Sequence, residues 1–109
     1  MDQTVQRPSI TGTELLIGPP DPAGDSVVNT GVESVFLSNS HATLPRTVTF
    51  AAPELCDQGG THPLVIVVAA QALLMVGPFK STRFTDSNGN LTWTYSDAAA
   101  DMSIAVVAL

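Results

Sequence analysis

Residues 91–95 read LTWTY and residues 46–51 read RTVTFA, and in both segments apolar side chains alternate with threonine. Alternation with a period of two is typical of a β-strand that turns one face to the core and the other to solvent. Threonine, valine and aromatic residues are also favoured in strands. The two segments therefore predict two strands, with Phe50 and Trp93 on their buried faces.

Short apolar runs of the same kind recur along residues 25–109, separated by turn residues. The run at 32–37 ends at Ser-Asn-Ser, and residues 87–90 read SNGN, a strong turn signal because Asn-Gly tolerates a positive φ. Further runs lie at 64–68, 73–76 and 103–109. Roughly six or seven strands at spacings of about 10 to 15 residues predict an all-β fold, a single antiparallel β-sandwich or barrel-like domain.

The longest apolar run covers residues 64–79 and reads LVIVVAAQALLMVGPF. Its 16 residues fall short of the ~20 that a membrane-spanning helix needs, and Gln71 interrupts it. The β-branched residues at 65–68 favour a strand. We predict two buried strands joined by a turn over residues 69–72, with a short helix as the alternative, and we expect no membrane span.

The first 24 residues differ in composition from the rest of the chain. They hold four of the eight prolines, which lack an amide donor and keep the backbone extended. We therefore predict an extended Pro-rich N-terminal arm over residues 1–24, followed by the β-sandwich domain over residues 25–109. Such an arm is either a loose terminus or an extension that docks on a neighbouring subunit. No signal peptide is visible at its start.

Leu15, Leu16 and Ile17 are the candidate partner-binding residues of this arm, because they are its one apolar cluster. Extended arms bind neighbours by adding a strand or by filling a groove, and they gain order when the partner is present. From the sequence we expect deletion of residues 1–24 to leave a soluble β domain that binds its partner more weakly.

Composition narrows the classes of function. The chain has 109 residues and a formal net charge of −6, which argues against nucleic-acid binding because phosphate contacts need clustered Lys and Arg. Only 13% of the residues are charged and 44% are hydrophobic, which is ample for a core. A single cysteine precludes an internal disulfide and a thiolate zinc cluster.

Two groups of residues resemble functional sites, and each has a simpler interpretation. Cys56 and His62 form a conceivable nucleophile–base pair, but no strand-to-helix elbow accompanies them, so we interpret Cys56 as a loop cysteine. Asp86, Asn88 and Asn90 resemble the opening of a calcium loop, with Asp97 at the twelfth position. The sixth position is Leu91 instead of glycine, which favours a hairpin turn. No catalytic residue, metal or cofactor is expected, and nothing points to an enzyme.

Several short motifs follow one another between residue 29 and the end of the chain. In order they are NTG at 29–31, SNS at 38–40, RTVTF at 46–50, AP at 52–53, GTH at 60–62, VGPF at 76–79, RF at 83–84, DSNG at 86–89, TYS at 94–96 and IAV at 104–106. This succession resembles small β-sandwich virion proteins of tailed bacteriophages, which are encoded among head genes and decorate or complete the capsid. Residues 69–72 read AAQA, where the resemblance implies a turn containing glycine.

The resemblance implies a capsid decoration or minor capsid protein that stabilises the phage head by protein–protein contacts. Its implied partners are the major capsid protein and copies of itself, as a homo-oligomer on the particle, and its implied location is the capsid surface of the virion after synthesis in the host cytoplasm. The family has no catalytic motif, so the resemblance implies no active-site residues.

Two alternatives to capsid decoration stay open at this point. One is a head-to-tail joining or tail component of the same particle. The other is a carbohydrate- or host-surface-binding β-sandwich module, which would need exposed aromatic rings as a platform. The chain has six aromatic residues, and most of them fall at positions that alternate as core residues.

Overall fold

A computed structural model describes residues 1–54, 58–96 and 101–108 of the chain. In this part the fold is nearly all-β, with two four-stranded sheets packed face to face as a sandwich and no closed barrel. The predicted sandwich is therefore confirmed and the barrel-like alternative is not adopted. The elements are β1 (Val5–Gln6), β2 (Asp25–Val28), β3 (Glu33–Asn39), β4 (Arg46–Phe50), β5 (Leu64–Val68), β6 (Leu73–Val76), α1 (Ser81–Phe84), β7 (Asn90–Tyr95) and β8 (Met102–Ala108).

The strands divide between two sheets. Sheet 1 has the order β2-β7-β4-β5 and is antiparallel, and sheet 2 has the order β1-β8-β3-β6, in which only the β1–β8 pair is parallel. β5 and β6 end their respective sheets and are joined directly by residues 69–72, so they lie on the same side of the sandwich. β1 and β2 lie on the opposite side.

The core is built on an aromatic cluster between the sheets. Phe50 on β4 has its ring centroid 4.6 Å from that of Phe79 and 5.7 Å from that of Trp93. The ring of Phe84, on the short helix α1, meets Phe79 edge-on at 5.3 Å. Trp93 is 1% exposed, as the alternation in β7 predicted. The buried faces of β4 and β7 are therefore those expected from the sequence.

The strands from the long apolar run do not have the burial that was predicted. The turn over residues 69–72 is present, but β5 and β6 are edge strands of different sheets, so each packs one face on the core. Their outward-facing side chains are more than half exposed: Val65, Val67, Leu73 and Met75. Gln71 in the turn has φ +61°, a left-handed conformation that glycine adopts more easily.

Three elements carried no clear signal in the sequence. β1, β2 and α1 have two, four and four residues, which is too short for a periodic pattern to stand out. The turn at residues 86–89 forms, but it connects α1 to β7 and does not join two paired strands. The hairpin interpretation of this turn was therefore wrong, because the element before it is a helical turn.

Two buried polar side chains on β3 hold neighbouring loops. The Asn39 side-chain amide donates to the carbonyl oxygens of Leu44 at 2.9 Å and Val68 at 3.1 Å. The Glu33 carboxylate accepts hydrogen bonds from the Thr30 amide and hydroxyl at 2.7 and 2.6 Å. Burial by itself would raise the pKa of Glu33, but these hydrogen bonds outweigh it and place the pKa below its usual value.

Candidate functional site

The N-terminal arm closes the sandwich on the side of β1 and β2. Asp2 forms a parallel bridge with Ser26 of β2, and β1 pairs with β8. Gly18 then returns to the same strand, exchanging two backbone hydrogen bonds with Ile104 at 3.0 and 2.8 Å. Residues 1–18 therefore pair with the outer edge of β8 and, at Ser26, with that of β2. The division at residue 24 stays a prediction, but these contacts change what a deletion of the arm should do.

Residues 7–15 form a surface loop whose two ends are held by one side chain. The Gln6 side-chain amide donates to the Leu16 carbonyl at 2.8 Å, and its oxygen accepts from the Leu16 amide at 2.7 Å. A primary amide can replace a backbone peptide in this way, because it carries one donor and one acceptor on the same plane. The loop is thus positioned next to the sheet instead of extending away from it.

The three candidate partner-binding residues follow this loop closure. Leu15, Leu16 and Ile17 are 42%, 64% and 49% exposed. Leu15 also lines a groove of about 130 Å³ together with Phe36 and Val107 from the outer face of sheet 2. The arm thus presents an apolar surface to solvent. Partner binding by these residues stays a prediction.

Along β4, β5 and β7 the outward-facing side chains of sheet 1 are uncharged, and the Asp2 carboxylate lies at the β2 edge, where it accepts a hydrogen bond from Ser26. Thr49 lies directly opposite Thr94 on one side and Val65 on the other, and Thr47 lies opposite Val67. Short β-branched side chains of this kind have few rotamers to lose when another surface covers them. Depletion of charge is also the compositional mark of protein interface cores. This face is therefore suited to contact with another protein.

A buried carboxylate ties the arm to the core. Asp25 is 3% exposed and accepts hydrogen bonds from the Gln3 side chain at 2.7 Å, the Asp21 amide at 3.1 Å and the Tyr95 hydroxyl. The indole nitrogen of Trp93 donates to the Tyr95 oxygen at 2.8 Å. All these donors are used within the fold, so the arrangement is a structural link between the arm and sheet 1.

Tyr95 should resist ionisation for as long as the protein is folded. Burial raises the pKa of Tyr95, and the hydrogen bond that its hydroxyl donates to Asp25 raises it further, because ionisation would lose this bond and place two negative charges together. The raised pKa means that this contribution to stability is complete below about pH 10, the unfolded value, and is lost as the pH rises further.

The chain has one tyrosine, so tyrosinate absorbance reports on this group alone. In a titration with base we expect tyrosinate to appear only together with loss of the far-ultraviolet circular dichroism of the sheets. The urea-unfolded chain is the control and should titrate near pH 10. Ionisation near pH 10 in a protein that keeps its circular dichroism would contradict the described contact.

Of the candidate catalytic and metal residues, the structure describes His62, Asp86, Asn88 and Asn90. Cys56 lies outside the described residues, and His62 is exposed, with its carbonyl accepting a hydrogen bond from Arg83 at 3.0 Å. The Asp86 carboxylate accepts from the amides of Asn88 and Asn90 at 2.8 and 2.9 Å, as a turn cap does. Asp97, the other proposed ligand, lies outside the described residues. Within the described ranges, no three acidic, histidine or cysteine side chains are grouped to hold a metal ion.

The aromatic residues do not form an exposed platform. All six lie in the described part of the chain: Phe50, Phe79, Phe84 and Trp93 are buried, and Phe36 and Tyr95 are partly buried. Sugar-binding platforms need the face of a ring open to solvent. This arrangement gives the carbohydrate-binding alternative no support.

Sequence patterns missed the residues that position the arm. Gln6 and Asp25 each act through partners that are distant in the chain, at separations of 10 and 70 residues to Leu16 and Tyr95. No local motif links such pairs.

In the described segments, every helix is too short and too polar to cross a membrane. Comparison of the chain with models of protein families, with characterised proteins and with solved structures found no match.

Proposed function

We propose that the chain is a structural virion protein of a tailed bacteriophage, a capsid decoration or minor capsid protein that stabilises the head through protein–protein contacts. The observation that carries this proposal is the amount of exposed apolar surface on a small domain. Twelve large apolar side chains of the described residues are exposed, on the arm, on the outer sheet faces and in the loops. Single exposed apolar residues are common, but clustered ones, such as Leu15, Leu16 and Ile17 on the arm, mark sites of protein–protein contact.

The placement of the resembling motifs adds support. Residues 77–79 lead out of β6 and place Phe79 in the aromatic core. Residues 83–84 belong to α1, which contributes the buried ring of Phe84. Residues 86–89 form the turn before β7. The most distinctive motifs of the resemblance thus lie in one continuous segment that leads from β6 through α1 to β7.

In this role the protein would stabilise the capsid only by burying surface against the shell subunits, without catalysing a reaction. Each copy would cover a junction between shell subunits and add contacts that are lost when the shell opens, so binding to the closed shell would stabilise it by mass action. The net charge of −6 suits the outside of a capsid better than a surface that faces packaged DNA. The apolar groove beside Leu15 and the exposed Leu16 would supply contacts to the major capsid protein.

The test is binding to capsids prepared without the protein from the phage that encodes it. Purified protein is added and the bound copies are counted by quantitative mass spectrometry. Decoration requires a copy number that increases with the number of shell subunits, whereas a ring at the head-to-tail joint holds about a dozen copies or fewer. A low, fixed copy number would move the assignment to the joint, and no binding at all would contradict a virion role.

A pair of variants tests the arm in the same experiment. Leu16→Asp should weaken capsid binding by about tenfold or more, because it places a desolvated charge in an apolar contact. Leu44→Asp is the matched control, since Leu44 is an exposed apolar residue on a loop distant in sequence from the arm. Equal binding by Leu16→Asp and the unchanged protein would remove Leu15, Leu16 and Ile17 from the interface.

A further inference from the structure

The edge strands on the two sides of the sandwich differ in whether other residues of the chain pair with them. On the side of β1 and β2, residues 1–18 of the same chain pair with the outer edge of β8 and, at Ser26, with that of β2. On the other side, none of the described residues pairs with the outer edge of β5 or of β6. On this side, the outward-pointing backbone donors and acceptors of β5 in sheet 1 and of β6 in sheet 2 are therefore unpaired in the described part of the chain, and the two open edges are neighbours.

The strands of the open side are short, but they lack the charged side chains and prolines that also protect edge strands. Natural edge strands carry charged side chains, prolines or bulges that prevent pairing with another chain. Residues 64–76 contain no charged residue and no proline, in a chain whose net charge is −6. Leu73 and Met75 are each 62% exposed and point outward from sheet 2. Pairing of this edge with another uncharged edge would bury apolar side chains without burying a charge.

We propose that the β5–β6 side is an interface between two copies of this chain, related by a two-fold axis. On the covered side, β8 and Ser26 of β2 already pair with residues 1–18, whereas, within the described ranges, β5 and β6 have open edges. Of the pairings that these open edges allow, β6 against β6 of another copy uses the same edge on both copies. Pairing of the same surface on both subunits is an isologous contact, and it closes as a dimer. Neither copy brings a charge on residues 64–76, so the contact has no like-charge repulsion at its centre.

The backbone of β6 favours the register that uses the outward-pointing groups of both Leu73 and Met75. The Ala72 carbonyl accepts the Asn39 amide of β3 at 2.9 Å. Backbone groups alternate in direction along an antiparallel strand, so the amides and carbonyls of Leu73 and Met75 point away from β3. With the two-fold axis at Leu74, Leu73 lies opposite the partner's Met75, and these two pairs exchange four backbone hydrogen bonds.

This register also matches the side chains. Residues directly opposite in an antiparallel pair share a face of the sheet. Leu73 and the partner's Met75 both lie on the outer face, and Leu74 meets the partner's Leu74 on the inner face that packs on the core. The same axis brings the open β5 edges of the two copies to the same side of the dimer. The interface does not depend on the proposed virion role.

The oligomeric state of the full chain tests the interface. In sedimentation equilibrium up to about 100 μM, which would saturate a dimer with a Kd of about 1 μM, we expect twice the 11.3 kDa chain mass. Met75→Lys should raise the dimer Kd by about tenfold or more, because an exposed edge lysine opposes pairing. Val28→Lys is the matched control, at a strand residue that is 59% exposed on the covered side, and it should leave the dimer unchanged.

A double variant tests the register. Leu73→Lys alone should weaken the dimer, and Leu73→Lys combined with Met75→Glu should restore it, because each lysine then faces the partner's glutamate. The restored dimer should weaken with added salt. A monomeric wild-type chain, a dimer that Met75→Lys leaves intact, or a double variant no more dimeric than Leu73→Lys would each overturn the proposal. Far-ultraviolet circular dichroism of each variant is the control that checks whether it is folded.

Discussion

Trp93→Ala should lower the free energy of unfolding by about 3–5 kcal/mol, the range for truncation of a large core aromatic. The indole lies between the sheets against Phe50, and its nitrogen donates to the Tyr95 hydroxyl. Truncation would leave a cavity in the aromatic cluster and remove one hydrogen bond from the group that holds Asp25. Urea unfolding followed by far-ultraviolet circular dichroism measures the change.

Two further variants separate packing from hydrogen bonding at this position. Trp93→Phe keeps much of the apolar volume and loses the donor, so it should cost less than Trp93→Ala. Thr92→Ala, on the outward face of the same strand, is the matched control and should change stability by less than about 0.5 kcal/mol. An alanine variant as stable as the unchanged protein would contradict the central position of Trp93 in the core.

Deletion of residues 1–24 should also destabilise the fold, by about 2–4 kcal/mol net of the chain entropy that the shorter protein no longer loses. The deletion removes the strand that covers β8, the backbone bonds of Gly18 to Ile104, and the Gln3 side chain that binds Asp25. It also uncovers Val107, which faces the arm on the outside of sheet 2. A lower melting temperature and self-association through the exposed edges are the expected results.

From the sequence alone, deletion of residues 1–24 is expected to leave the β domain intact, so the structure changes this expectation. Gln6→Ala tests the structural account more locally, because it removes only the two hydrogen bonds to Leu16 that close the loop. Ile10→Ser, at a fully exposed residue of the same loop, is the control and should not alter stability. A truncated domain with the stability of the full chain would restore the interpretation of residues 1–24 as a separate arm.

The sequence by itself determined the fold class and part of the core. β4 and β7 alternate strictly between apolar residues and threonine, and Phe50 and Trp93 are buried as that alternation predicts. The same reasoning placed β5, β6 and the turn between them. Such predictions succeed because the direction in which a side chain points along a strand depends only on its own position in the strand.

Only the tertiary structure decided which strands are edges and where the arm lies. The β-branched run of β5 reads as a buried strand, yet its alternate residues Val65 and Val67 face outward. The Gln6–Leu16 and Asp25–Tyr95 contacts join parts of the chain with no common pattern. Strand pairing uses backbone groups that every residue carries, so the order of strands in a sheet is set by how the whole chain packs and not by any local segment.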